Sequence, residues 1–302
     1  MGAIVDFFVY KGRPERIIPS DEQSMEKDVF YKYIGNVELA EVIIIFSYGN
    51  SESSSSTRLN ARLRRICEAM NNVHKKIMKT SDPESFNENE YEYNKYAFVT
   101  YDYPGYCKSH GKFSQESLFE SICIIFDKIS REFPTKQILV WGRSIGCAAS
   151  CHLANKIASN PSHFPKRPLG YILQSPMTSI FTIFIDADRL PWDRYENERL
   201  ARETPDWGPT MLIHGTDDAL VPFEHSMRLY DILVGEVGLI SIDGGTHNSL
   251  FSTRRLHDLV CVIVKWILKL DGFQPTPAIG PDIDKSKWLV ECTSNTYTNE
   301  HQ

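Results

Sequence analysis

Gly142-Arg143-Ser144-Ile145-Gly146 is a G-x-S-x-G pentapeptide, and its setting gives it chemical meaning. It begins where the run QILVW (137–141) ends, and it leads into CAASCHLANKIA (147–158), a helical stretch rich in small residues. A tight strand-to-helix turn at this point pushes a serine hydroxyl outward, and the flanking glycines leave room for the backbone. The N-terminus of the following helix offers the Ile145 N–H to a developing oxyanion. A serine hydroxyl is a poor nucleophile at neutral pH, so it needs a base within reach, itself oriented by an acid. His247, in Gly244-Gly245-Thr246-His247-Asn248, follows the run GLISI (238–242) and precedes the last helical stretch. Of the nine histidines it alone combines a late strand end with the chain order serine, acid, histidine. His214 is the nearest rival, but it lies inside TMLIHGT and reads as a buried strand residue. Asp217 and Asp218 both stand just past that strand, and proximity does not choose between them as the acid. The second oxyanion donor should come from the loop FSYGNS (46–51), where Gly49 permits a sharp turn and the Asn50 N–H can face the site.

The elements that must position these groups are visible as alternation. Strands are expected at 42–47 (VIIIFS), 96–101 (YAFVTY), 137–141, 171–174 (YILQ), 210–214 (TMLIH) and 238–242. They are near-continuous apolar runs, which suits strands covered on both faces. Between them Leu59, Leu63, Ile66, Met70, Val73 and Ile77 recur at helical spacing, as do Leu118, Ile122, Ile125, Ile129 and Phe133. Leu256, Val260, Ile263, Ile267 and Leu270 do the same near the end. This implies an α/β fold with a doubly wound, mostly parallel sheet flanked by helices. The alternating segment 29–36 suits an antiparallel edge strand. Residues 80–95 are acidic and read as an exposed loop, and Arg62, Arg64, Arg65, Lys75 and Lys76 as the outward face of a helix. SESSSST (51–57) has the composition of a linker but directly follows a strand end, where such folds build ligand sites.

Composition narrows the class. With 302 residues, 42% of them apolar and 24% charged, the chain can bury a core without disulfides or metals. We expect one domain over 1–274 and a loosely attached tail over 275–302. A net charge of −6 gives no electrostatic footprint for nucleic acid, and no apolar run reaches the ~20 residues of a membrane span. Seven scattered cysteines suit a reducing compartment, and the N-terminus lacks the features of a signal peptide. Asp6 stands where a myristoylation motif at Gly2 wants Ser or Thr. A cytoplasmic location follows, with peripheral membrane contact left open. Cys147, Cys151 and His152 crowd one helix without zinc spacing, so neither a metal nor a cofactor is expected.

The stretches FSYGN, YDYPGYCKSHGK, WGRSIGCA, LQSP, IHGTDDALVP and GGTHNS together resemble the α/β-hydrolase superfamily over about Val42 to Leu270. More narrowly, they are similar to its small intracellular branch with little or no lid, which includes α/β-hydrolase-domain protein depalmitoylases. In that family the acid is the aspartate four positions after the histidine of H-G-T-x-D, which the resemblance maps to Asp218. Its loop-shaping stretch maps to Asp102, Gly105, Ser109 and Gly111. The chain departs from the family in having Tyr48-Gly49 where His-Gly is usual. It also has no cysteine before Cys67, whereas membrane-bound depalmitoylases carry an N-terminal cysteine cluster.

The segment from Ser175 to Pro209 occupies the usual place of a lid but is too short for a lid domain. Tyr48, Phe181, Phe184 and Trp192 are candidates to bind substrate, with Leu190 and Trp207 beside them, although the aromatics of the short lid segment could equally cover the sheet. The expected activity is a serine hydrolase cleaving acyl esters or thioesters, on an acylated protein or a lipid. A serine peptidase of the same fold and a catalytically silent scaffold are the alternatives.

Overall fold

The β-branched runs become the centre of a nine-stranded sheet in the computed structural model, which describes residues 24–50, 52–81, 94–180, 194–204, 207–272 and 288–295. The strands are β1 (Ser24–Glu26), β2 (Val29–Ile34), β3 (Val42–Ser47), β4 (Tyr96–Tyr101), β5 (Gln137–Arg143), β6 (Gly170–Gln174), β7 (Thr210–Gly215), β8 (Gly235–Ile242) and β9 (Trp288–Asn295). Their order is β1-β2-β4-β3-β5-β6-β7-β8-β9. The six from β3 to β8 run parallel, while β1, β2 and β9 are antiparallel additions at the two ends. Every residue of β3, β4, β6 and β7 is buried, as helices on both faces require.

The helices are α1 (Thr57–Ser81), α2 (Gln115–Glu132), α3 (Ile145–Ser159), α4 (Asn197–Glu203), α5 (Glu224–Ile232) and α6 (Thr253–Leu270). Leu59, Leu63, Ile66, Met70, Val73 and Ile77 form the buried stripe of α1, which packs against α6. Ser114 caps α2 by accepting from the Ser117 N–H, and the Ser117 hydroxyl returns to the Ser114 N–H. Among the described residues no helix is long and apolar enough to cross a membrane.

Three expectations change. Residues 29–34 do form an antiparallel strand, but not the edge, because the hairpin partner β1 lies outside it. Residues 288–295, from the segment expected to be a loosely attached tail, pair with β8 along its whole length from Gly235 to Ile242. Arg62 does not simply face water: its Nη2 is 2.8 Å from Glu52 Oε1 and most of its side chain is covered. Residues 82–93, the bulk of the acidic loop, lie outside the described residues.

The sheet brings the strand ends together in pairs. Ser47 at the end of β3 is level with Gly142 of β5, and Gly215 at the end of β7 is level with Ile242 of β8. The β3–β5 pair also flanks the point where strand order reverses, the crevice in which open α/β sheets hold ligands. Close approach is built in at two glycines. A Cβ on Gly146, in the first turn of α3, would lie 2.1 Å from the Ser47 carbonyl oxygen, and one on Gly215 would lie 2.1 Å from that of Gly245.

Gly146→Ala therefore sets two effects against each other. Helix propensity favours Ala by up to about 1 kcal/mol. The clash is with backbone that cannot swing away, and overpacking of this kind costs about 1–3 kcal/mol or more. Urea unfolding should find the variant less stable than the wild type by at least about 1 kcal/mol; a neutral or stabilising outcome would mean that α3 and β3 are not in this contact.

Candidate active site

Ser144 sits between β5 and α3 with φ +53° and ψ −121°, a conformation that a side-chain-bearing residue adopts only under constraint. Its N–H donates to the Gln174 carbonyl at the end of β6, and its own carbonyl accepts from the Cys147 N–H inside the first turn of α3. The turn is thus tied to the neighbouring strand on one side and to the helix on the other. Ser144 keeps 7% of its surface exposed. The loop after β3 comes directly against it, since a Cβ on Gly49 would lie 3.4 Å from Ser144 Cβ. That loop carries Asn50, whose side-chain oxygen accepts from the Tyr106 hydroxyl at 3.1 Å. Ile145, the other expected oxyanion donor, is the first residue of α3.

Across the sheet, His247 Nδ1–H donates to Asp218 Oδ2 at 2.8 Å. This hydrogen bond fixes the tautomer, because a carboxylate only accepts, and it leaves Nε2 with the lone pair. Asp218 Oδ1 accepts from the N–H groups of Leu220 at 3.0 Å and Val221 at 2.9 Å. Asp217, one residue earlier, is exposed, and its carboxylate accepts from the Thr216 hydroxyl at 3.3 Å. The two aspartates lie in the turn that follows Gly215, and of the two it is Asp218 whose carboxylate meets His247.

His214 lies in β7 with no exposed surface, but it is more than a packed strand residue. Its Nε2–H donates to the Val221 carbonyl at 2.8 Å and lies 3.3 Å from Asp218 Oδ2, while its Nδ1 accepts from the Ser226 hydroxyl at 2.6 Å. Burial alone would push the Asp218 carboxyl up. His214, His247 and the Val221 N–H outweigh that and hold it well below the usual carboxylate range.

The Tyr48 expectation is corrected. Tyr48 is fully buried, and its hydroxyl donates to Asp102 Oδ1 at 2.9 Å, so it anchors its loop and presents no face to a substrate. Asp102 also accepts from the N–H groups of Ser54 and Lys108, and the Ser109 hydroxyl donates to its carbonyl. Gly105 and Gly111 in this loop have φ of +80° and +97°. Trp207 is 3% exposed and meets Tyr171 edge-on, which makes it a cover for the sheet. Phe181, Phe184, Leu190 and Trp192 lie outside the described residues. Cys147 and Cys151 are buried, and His152 stacks on Phe119 with ring centroids 4.2 Å apart.

No protein-family model matches the chain. Among curated proteins it is 30% identical over 156 residues to the alpha/beta hydrolase domain-containing protein aho-3 of Caenorhabditis elegans, covering 50% of this chain and 43% of that protein. It is 27% identical over 156 residues to alpha/beta hydrolase domain-containing protein 17B of Homo sapiens, covering 50% of each. The match thus spans about half the length of these relatives. Among solved structures the chain resembles the monoacylglycerol lipase of Paleococcus ferrophilus with a TM-score of 0.53 and 16% identity, covering 80% of this chain and 99% of that one. It resembles Est1E from Butyrivibrio proteoclasticus with a TM-score of 0.56 and 14% identity, covering 83% and 100%.

The chain has the α/β-hydrolase fold.

Within this α/β-hydrolase fold, two residues near the site escaped the motif pattern. Arg143, the first variable position of the pentapeptide, and Glu52, in the serine-rich stretch, form an ion pair at 2.9 Å. A signal existed: a charge at the end of an otherwise buried strand needs a partner, and Glu52 is the single carboxylate between Val42 and Glu68.

The low pKa of Asp218 makes a stability prediction. Its folded-state value lies below the ~3.9 of an unfolded aspartate, so its contribution is present above about pH 4 and is lost as pH falls through the folded value. The stability difference between the wild type and Asp218→Asn, measured by urea unfolding, should be largest near neutrality and shrink steadily below about pH 4. A difference that stayed constant down to about pH 2 would mean that these donors do not hold the carboxylate ionised.

Proposed function

We propose that the chain is a serine hydrolase that cleaves acyl esters or thioesters through an acyl-enzyme. The observation that carries this reading is the His247–Asp218 hydrogen bond, on the strand ends next to a serine held in a constrained strand-to-helix turn. Ser144 Oγ attacks the carbonyl carbon while His247 Nε2 takes its proton. Asp218 holds the imidazole in the tautomer that makes this possible and balances the charge it gains. The N–H groups of Ile145 and Asn50 face the oxygen on which negative charge develops. His247 then returns the proton to the leaving alcohol or thiol, and water, activated by the same imidazole, releases the acyl group and regenerates Ser144.

Proteins of known structure that share this fold include monoacylglycerol and monoglyceride lipases, so carboxylic esters are the first substrates to try. The depalmitoylase resemblance adds acyl thioesters. Hydrolysis of p-nitrophenyl esters of graded chain length, run beside an acyl thioester, ranks the two and sets the acyl length.

Ser144→Ala should abolish hydrolysis, with a loss on the order of 10⁶ in turnover. Asp218→Asn should cost about 10⁴-fold through the wrong imidazole tautomer, and Asp217→Asn under about tenfold. The check is steady-state kinetics on the preferred ester. Retention of a tenth of the activity by Ser144→Ala would remove the nucleophile assignment, and reversed aspartate effects would move the acid to Asp217. A wild-type chain that neither hydrolyses these substrates nor reacts with a fluorophosphonate would be a scaffold.

A further inference from the structure

Arg143 is the last residue of β5 and immediately precedes Ser144, yet only 5% of its side chain is exposed. A guanidinium this covered must be paired, and a single carboxylate would suffice for its charge. Its fork instead reaches two different loops. Nη1 donates to Glu52 Oε2 at 2.9 Å, in the loop after β3. Nη2 donates to Asn248 Oδ1 at 2.6 Å and to the main-chain oxygen of His247 at 3.1 Å, in the loop after β8. Glu52 carries the connection onward, because the same Oε2 accepts from the Gly49 N–H at 3.1 Å, one peptide before the Asn50 N–H. Its other oxygen, Oε1, meets Arg62 Nη2 at 2.8 Å. Arg143 and Arg62 hold the Glu52 carboxyl below its usual value although burial opposes this, so the pair is ionic. The backbone is shaped to admit the fork: a Cβ on Gly49 would lie 2.7 Å from Arg143 Nη1.

We infer that Arg143 and Glu52 are a positioning pair that locks the oxyanion loop and the histidine loop onto the turn that presents Ser144. This rests on the hydrolase reading above and adds the device that sets its geometry. Neither residue touches the reacting atoms. Arg143 acts through the main chain of His247, and Glu52 acts through the peptide before Asn50. A planar fork with two separated nitrogens is required, because one ammonium cannot serve both loops at once. Displacement of reacting groups by about 1 Å costs on the order of 10²-fold in rate, and that is the scale on which losing the pair should register.

The test uses the full chain as wild type, R143A, R143K, E52Q and S144A. It reads kcat and KM on the preferred p-nitrophenyl ester, the rate of Ser144 labelling by a fluorophosphonate, and the melting temperature. For R143A, kcat and the labelling rate should fall by about 100-fold with KM within about threefold of wild type. R143K should recover less than about a tenth of the wild-type kcat. Guanidinium at millimolar concentrations, well below unfolding conditions, should raise the R143A rate at least about fivefold and leave the wild type unchanged. E52Q should lose about tenfold in kcat through the oxyanion loop. Should R143A fail to fold, R143K and E52Q carry the test. The inference is overturned if R143A or R143K keeps kcat within about threefold of wild type. It is also overturned if R143A loses melting temperature and activity together with no response to guanidinium, since the arginine would then be packing only. Absence of Ser144 labelling in the wild type, with S144A as its control, overturns the hydrolase reading itself and this inference with it.

Discussion

Six parallel strands end on the same side of the sheet, so every loop that follows them emerges along one edge with its spacing set by strand pairing. The chemistry proposed for this chain depends on that constraint. Loops after β3, β5, β7 and β8 carry Asn50, Ser144, Asp218 and His247, and the shared edge brings these residues, far apart in sequence, to one side of the sheet. Pairing alone sets neighbouring strands about 4.8 Å apart, which is too coarse for proton transfer. The remaining adjustment is made where two backbones touch without side chains between them, at Gly146 against Ser47 and at Gly215 against Gly245. The first contact draws the Ser144 turn onto the loop after β3, and the second draws the loop after β7 onto the loop after β8.

Among the described residues two buried carboxylates, Asp218 and Asp102, and the partly buried Glu52 stand near this edge, and their partners give them different characters. Asp218 has two imidazoles and two backbone N–H donors around it, enough to outweigh desolvation and keep it ionised. Glu52 is kept ionised by two guanidinium groups. Asp102 is met by neutral donors, among them the Tyr48 hydroxyl and the Ser54 and Lys108 N–H groups, and burial wins there, raising its pKa. The carboxylate that faces His247 is thus one whose charge is held against burial, which suits the imidazolium-stabilising role proposed for it. The one that only shapes a loop tolerates a weaker hold, since a neutral carboxyl keeps most of the same hydrogen bonds.

Local pattern made much of this readable. The apolar runs of β3 to β8 are long enough and β-branched enough to identify themselves, and the glycines around Ser144 mark the turn because nothing else fits there. Elements without such a stripe were not visible: β1 is the three residues Ser-Met-Glu, and β9 mixes Trp288, Glu291 and Asn295 without a clean alternation. Their strand character comes from an edge that needs pairing more than from their own side chains. The Tyr48 assignment failed for a related reason. An aromatic beside a catalytic loop looks the same in sequence whether it faces a ligand or the protein, and only the buried carboxylate of Asp102, 54 positions away, decides the matter. Arg143 and Glu52, 91 positions apart, left a fainter signal, a charge ending a buried strand and a lone carboxylate in the serine-rich stretch, which no motif joins.

The loop after β3 shows why such distant partners are needed. From Ser47 to Ser56 the chain contains Tyr48 but no aliphatic side chain, so packing cannot fix its course. It is held instead at two points. Before the turn, Tyr48 is gripped at both ends, its hydroxyl on Asp102 and its carbonyl accepting from the Tyr103 hydroxyl at 2.6 Å. After the turn, Glu52 is gripped by Arg143 and Arg62. Only Gly49, Asn50 and Ser51 lie between these anchors. A tyrosine in the place of the usual histidine suits this design, because its longer reach lets the hydroxyl meet a carboxylate rooted at the end of β4. The first anchor therefore ties the loop to β4, and the second ties it to β5 and, through His247, to the loop after β8. With both ends fixed to different strands, the Asn50 peptide has little freedom left, and an N–H can serve as a preorganised donor without any side chain of its own to hold it in place.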